Sequence, residues 1–145
     1  MTSAIISGIA AVGALFANPQ AKSLVIPSLL IFAIADNIAD SFGMHMYQDA
    51  ELLKDEQVWV GTIFNYCARL IISLIFIGIL LLFSPILASI LCIVVGLILL
   101  TLISYLIAQR RKSNPWLMIG EHVGLALVVL VLSTVVGSLI RSQIH

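Results

Sequence analysis

Five apolar stretches separated by short polar breaks divide the chain, and each predicts a helix. The first, residues 4–17, is only 14 residues long. A full crossing of a bilayer needs roughly 20 residues, so this segment is expected to be a short, tilted or re-entrant helix. Asn18-Pro19 ends it. The second stretch, residues 24–47, is long enough to span and carries Pro27 near its start, where a proline is tolerated. The charged connector from Asp49 to Glu56 is expected to extend that helix into water. Residues 58–83 form the third span, with Trp59 at its entrance as an interfacial aromatic, and Ser84-Pro85 makes a tight turn into the fourth, residues 86–108. A basic loop from Gln109 to Pro115 leads to Trp116 and a fifth segment, residues 116–140. In that last segment Gly120 and Gly124 have the spacing of a small-residue helix contact. No internal repeat is present, so the chain reads as one all-α transmembrane domain over 1–145.

Composition sharpens this into an integral membrane protein. The chain is 61% hydrophobic and 10% charged, with a mean hydropathy of +1.18; soluble domains sit near 45–50% apolar and about 25% charged. The net charge is zero, which offers nothing to nucleic acid. Cys67 and Cys92 both lie in apolar runs, where a small buried hydrophobe is the usual role. Basic residues near span ends set the orientation. The Arg110-Arg111-Lys112 cluster is expected in the cytoplasm, against single positives at Lys22 and Arg141 on the other side. The N-terminus and the acidic connector are then inside.

Against this background the polar residues of the second span stand out. Asp36, Asp40 and Met44 recur every fourth residue and form one ridge of a helix, beside a second ridge of small residues, Ala35, Ala39 and Gly43. A carboxylate inside a span costs roughly 2.5–3.5 kcal/mol on insertion scales, so such residues line a polar path, bind something or pair with each other. Arg69, inside the third span at comparable depth, is a candidate ion-pair partner. A thioether one turn from a carboxylate adds a soft ligand to a hard one, which suits Fe(II) or Mn(II) better than Mg or Ca. His45, Glu121 and His122, near the cytoplasmic interface, are candidates for an entry site or proton relay. No nucleophile-base constellation, HExxH, P-loop or GxSxG occurs, so an enzyme is not expected.

The stretch Ala35-Asp-Asn-Ile-Ala-Asp40-Ser-Phe-Gly-Met44 resembles the second-helix motif of the vacuolar iron transporter family, which runs roughly Ala-x-x-x-Ala-Asp-Gly-x-Ser-Met with a tyrosine a few residues on. Asp40 and Met44 fall on the motif's Asp and Met, and Tyr47 lies near its Tyr; Asp36 stands where Asn is common. Residues 8–17 resemble the end of the family's first helix, and 124–140 its last. The resemblance implies a homodimer exporting Fe2+ or Mn2+ from the cytoplasm in exchange for protons, along a path between first and second helices at the dimer interface. The ion is substrate, and no cofactor is implied. Asp36, Asp40 and Met44 are then the expected metal ligands. The family's first helix opens on an Asp-Gly that has no counterpart here, and only Gln48 to Gln57 stands where the family carries a glutamate-rich cytoplasmic domain. The alternative is a non-transporting membrane scaffold that keeps the fold and pairs Asp40 with Arg69. In either case the chain is expected in a cell inner or plasma membrane rather than an organelle.

Overall fold

A computed structural model of the chain describes residues 2–144, apart from the side chains at 17, 21, 141, 143 and 144. Arg141, used above for orientation, therefore has its side chain outside the described set. All regular structure among the described residues is helical: α1 Thr2–Ala17, α2 Lys22–Ala50, α3 Asp55–Leu82, α4 Pro85–Arg111 and α5 Pro115–Ile144. Four of these are long and apolar enough to cross a membrane, and α1 is a shorter apolar helix. The protein is a multi-pass, all-α membrane protein.

Local chemistry explains the boundaries. Asn18 stops α1: its side-chain oxygen accepts from the Gln20 amide at 3.1 Å and caps a single 3-10 turn, Pro19–Ala21. Pro85 begins α4 at a position whose N–H has no helical partner. The acidic connector is tighter than expected. Helix α2 runs on to Ala50, and the chain then reverses within a few residues into α3. Leu52 makes that reversal with φ 55°, donating from its amide to the Asp49 carbonyl. A left-handed leucine costs about 1–2 kcal/mol, and this side chain is almost fully exposed. Leu52→Gly is therefore expected to stabilise the fold by about 1 kcal/mol, read as a higher unfolding midpoint in detergent.

The uniform apolarity of α1 hides its role. Ile5, Ile9, Val12 and Leu15 are completely buried, so this short helix is an inner element packed against α5 and α4 rather than a peripheral one. Close approach happens at glycines the periodicity did not single out. Phe76 of α3 is fully buried between Gly8 of α1 and Gly96 of α4. Gly13 faces Ser133 and Leu130 of α5. Among the described residues of the chain, nothing makes the expected small-residue contact at Gly120 and Gly124: a Cβ at either would meet nothing within 4 Å. Cys92 is buried as expected, with its thiol against the Phe76 carbonyl, but Cys67 is exposed. The outer faces of α3 and α4 carry exposed Ile63, Phe64, Ile71, Ile90, Val94 and Ile98, a surface made for lipid.

Candidate functional site

Helix α2 is not a regular helix throughout. Residues Phe32–Asp36 form a π segment between two α-helical parts, Lys22–Ile31 and Asn37–Ala50. The wider turn makes the Asn37 amide bond five residues back, to the Phe32 carbonyl. The Asn37 side chain takes up part of what is disturbed, donating from Nδ2 to the Ala33 carbonyl at 2.9 Å. Asn37 is buried, and its Oδ1 accepts from Arg69 Nε at 2.8 Å. One amide thus ties the irregular turn of α2 to the arginine of α3.

Arg69 lies midway along α3, about 20 Å from either end at 1.5 Å per residue, and is completely buried. Its guanidinium makes four connections. Besides Asn37, Nη2 donates to Asp36 Oδ2 at 3.1 Å, and Nη1 donates to Asp40 Oδ2 and to the Ser3 hydroxyl. Ser3, in the first turn of α1, itself donates to Asp40 Oδ2 at 2.9 Å. Three helices therefore meet at one charge cluster at mid-span. Planar geometry is what lets a single cation do this, because the fork aims separate N–H groups at separate acceptors.

The two carboxylates are not symmetric between inside and outside. Arg69 is wholly enclosed, but the Asp36 and Asp40 side chains are 48% and 50% exposed. Every described hydrogen bond to them ends on Oδ2. The other oxygen of each has no hydrogen bond among the described residues, and the pair lies on the outer ridge of α2. Met44, one turn further along that ridge, is also exposed. The small residues Ala35, Ala39 and Gly43 are exposed as well, and nothing lies within 4 Å of a Cβ built on Gly43. Among the described residues, no helix covers that face.

A neutral layer flanks the cluster toward the connector. Ser41, buried, accepts from Asn65 Nδ2 at 3.2 Å. One turn on, the Thr62 hydroxyl donates to the Val58 carbonyl and lies 3.1 Å from His45 Nδ1. His45 Nε2 then faces Asp49 Oδ2 at 3.4 Å, and the ring lies between Phe42 and the edge of Trp59. His45, Asp49, Asp55, Val58 and Trp59 line a cavity of about 260 Å³. The other two relay candidates sit elsewhere. His122 Nδ1 bonds Ser104 of α4 at 2.8 Å, and Glu121 is exposed on α5. No described hydrogen bond joins either of them to His45.

Asp36, Asp40 and Arg69 are thus brought together, with Met44 on the same ridge and His45 at its connector end. Asn37 and Ser3 were the participants that residue spacing missed. Asn37 could have been found only as the polar neighbour of Asp36 pointing inward, and Ser3 carried no signal. Among the described residues, no three His, Cys, Asp or Glu side chains converge where one chain could hold a metal ion. In comparisons with known proteins, no family model, curated protein or solved structure matches the chain.

Proposed function

We propose that the chain moves a divalent transition-metal ion, Fe2+ or Mn2+, out of the cytoplasm in exchange for protons, across a cell inner or plasma membrane. The observation that carries this reading is the pair of half-exposed carboxylates on a spanning helix, each with one oxygen held by Arg69 and one free. Such groups turned to lipid are costly, and spans keep them where they face a cavity or a partner. A second copy of the chain against the α2 ridge removes that cost and doubles the oxygen ligands. Met44 adds a thioether that favours Fe(II) or Mn(II) over Ca. The resemblance of residues 35–44 to the iron-transporter motif supports the same ligands.

The second reading is the non-transporting scaffold. What favours it is the buried Arg69 with four partners, including the Asp40 pairing that this reading expected. Reconstituted protein separates the two. Proteoliposomes with an internal proton-sensitive dye would be given Fe2+, Mn2+, Zn2+ or Ca2+. Transport predicts Fe2+- or Mn2+-dependent proton movement, reduced about tenfold or more in Asp40→Asn and less in Met44→Ala. Undiminished flux in both variants would remove the α2 ridge as the path. Absence of flux from folded wild-type protein would leave the scaffold.

A further inference from the structure

Arg69 offers more than a lock on the fold, because it leaves the cluster out of charge balance. Two carboxylates against one guanidinium leave one negative charge per chain, and in the pair of chains proposed above two such clusters would bring two. That is the charge of one divalent cation with opposite sign. The guanidinium reaches only Oδ2 of each aspartate, so it reduces the charge of the site without occupying the second oxygen of either. It is also held independently of them, through Nε on Asn37, which is itself fixed to the Ala33 carbonyl.

Resting on the transport reading above, we propose that Arg69 is the charge-selectivity determinant of the site: a fixed internal cation that tunes it to divalent ions and keeps their binding weak enough for release. Without it, four unneutralised carboxylates face each other across the pair of chains. Such a site holds any cation more tightly and gains most for ions of higher charge, because Coulomb attraction scales with the product of charges. A purely structural arginine predicts the opposite, since losing it would disorder the ligands and weaken all binding alike.

The test uses purified full-length protein in detergent, with Mn2+ and the luminescent trivalent ion Tb3+ as probes, and Mn2+ flux in proteoliposomes. In Arg69→Gln the affinity for Tb3+ relative to Mn2+ is expected to rise about tenfold or more. Mn2+ flux is expected to show a lower KM together with a lower kcat. Arg69→Lys, which keeps the charge, is expected to keep the wild-type ratio. Asp36→Asn combined with Arg69→Gln restores one net charge per chain and is expected to return the ratio toward wild type. Those last two variants keep the test decisive if Arg69→Gln does not fold. An unchanged ratio in folded Arg69→Gln, uniform loss of binding there, a shifted ratio in Arg69→Lys, or a double variant that does not return would each overturn the inference. Wild-type protein that neither binds nor moves Mn2+ or Fe2+ would instead remove the transport reading, and this inference with it.

Discussion

Asn37→Leu is expected to destabilise the protein by roughly 3–5 kcal/mol, far more than its single uncharged side chain suggests. Leucine has nearly the same size, so packing is conserved and the loss is polar. Two groups each lose a hydrogen bond together: the Arg69 Nε–H and the Ala33 carbonyl. An unsatisfied buried polar group costs about 1–3 kcal/mol, more when it is charged, and a bilayer supplies no water to replace it. Asn37→Asp keeps an acceptor for the guanidinium and loses only the donor to Ala33, so it is expected to be the milder change. Ser41→Ala provides the internal scale. It removes a neutral interhelical acceptor, of the kind that averages about 0.6 kcal/mol in membrane helices. Unfolding in mixed detergent would rank the three variants. Asn37→Leu falling level with Ser41→Ala would mean that the amide does not hold the arginine.

The unequal legibility of this chain follows from what each residue's surroundings contribute. The existence and length of the helices were readable because long apolar runs broken by Asn18-Pro19, Ser84-Pro85 and Asn114-Pro115 permit little else. The depth match of Asp40 and Arg69 was readable for a related reason, since a short connector makes α2 and α3 antiparallel and places the two at similar height. Facing was not. In a lipid-embedded bundle both inner and outer surfaces are apolar, so Ile5 and Ile9 of α1, fully enclosed, look in sequence like Ile90 and Ile98 of α4, which are exposed. The same degeneracy misplaced the close contacts. Glycine pairs at helical spacing pointed to Gly120 and Gly124, whereas the crossings occur at Gly8, Gly13 and Gly96. The π segment was invisible as well, because its residues, Phe32 to Asp36, are ordinary helix formers until Asn37 supplies the side-chain bond to Ala33.

The fold and the charge cluster are coupled through α1. Its first turn contributes Ser3 to the cluster, and its apolar length wedges between α5, α4 and α3. Anything that shifts α1 along its axis therefore moves a hydroxyl that both accepts from Arg69 and donates to Asp40. In a densely packed interior such a shift is not continuous, because side chains interlock and resist small displacements. Whether Ser3 stays in place is decided about one and a half turns away, where α1 crosses Phe76 at Gly8.

At that crossing Gly8→Ala is expected to cost at least about 3 kcal/mol, at the upper end of what one added methyl does in a packed interior. A Cβ on Gly8 would lie 2.1 and 2.2 Å from Cε2 and Cδ2 of Phe76, well inside contact distance. The ring has no room to yield. On its other side the Gly96 backbone is so close that a Cβ there would meet Phe76 Cζ at 3.2 Å and Ile9 at 3.0 Å. The ring thus fills a slot between two helix backbones that only glycines leave open. The loss is one of space rather than chemistry, so it should be reversible by subtraction. Phe76→Leu alone is expected to weaken packing, yet combined with Gly8→Ala it should recover at least half of the single variant's loss, which is the mark of residues in contact. Measured in detergent, a double variant as unstable as the two single changes added together would show that Gly8 does not meet Phe76, and that α1 crosses the bundle elsewhere. Recovery of stability would bring a second consequence within reach of the same samples. With the crossing restored, Ser3 is expected to return to Asp40 and Arg69, and under the transport proposal any Mn2+ binding weakened in Gly8→Ala should return with it.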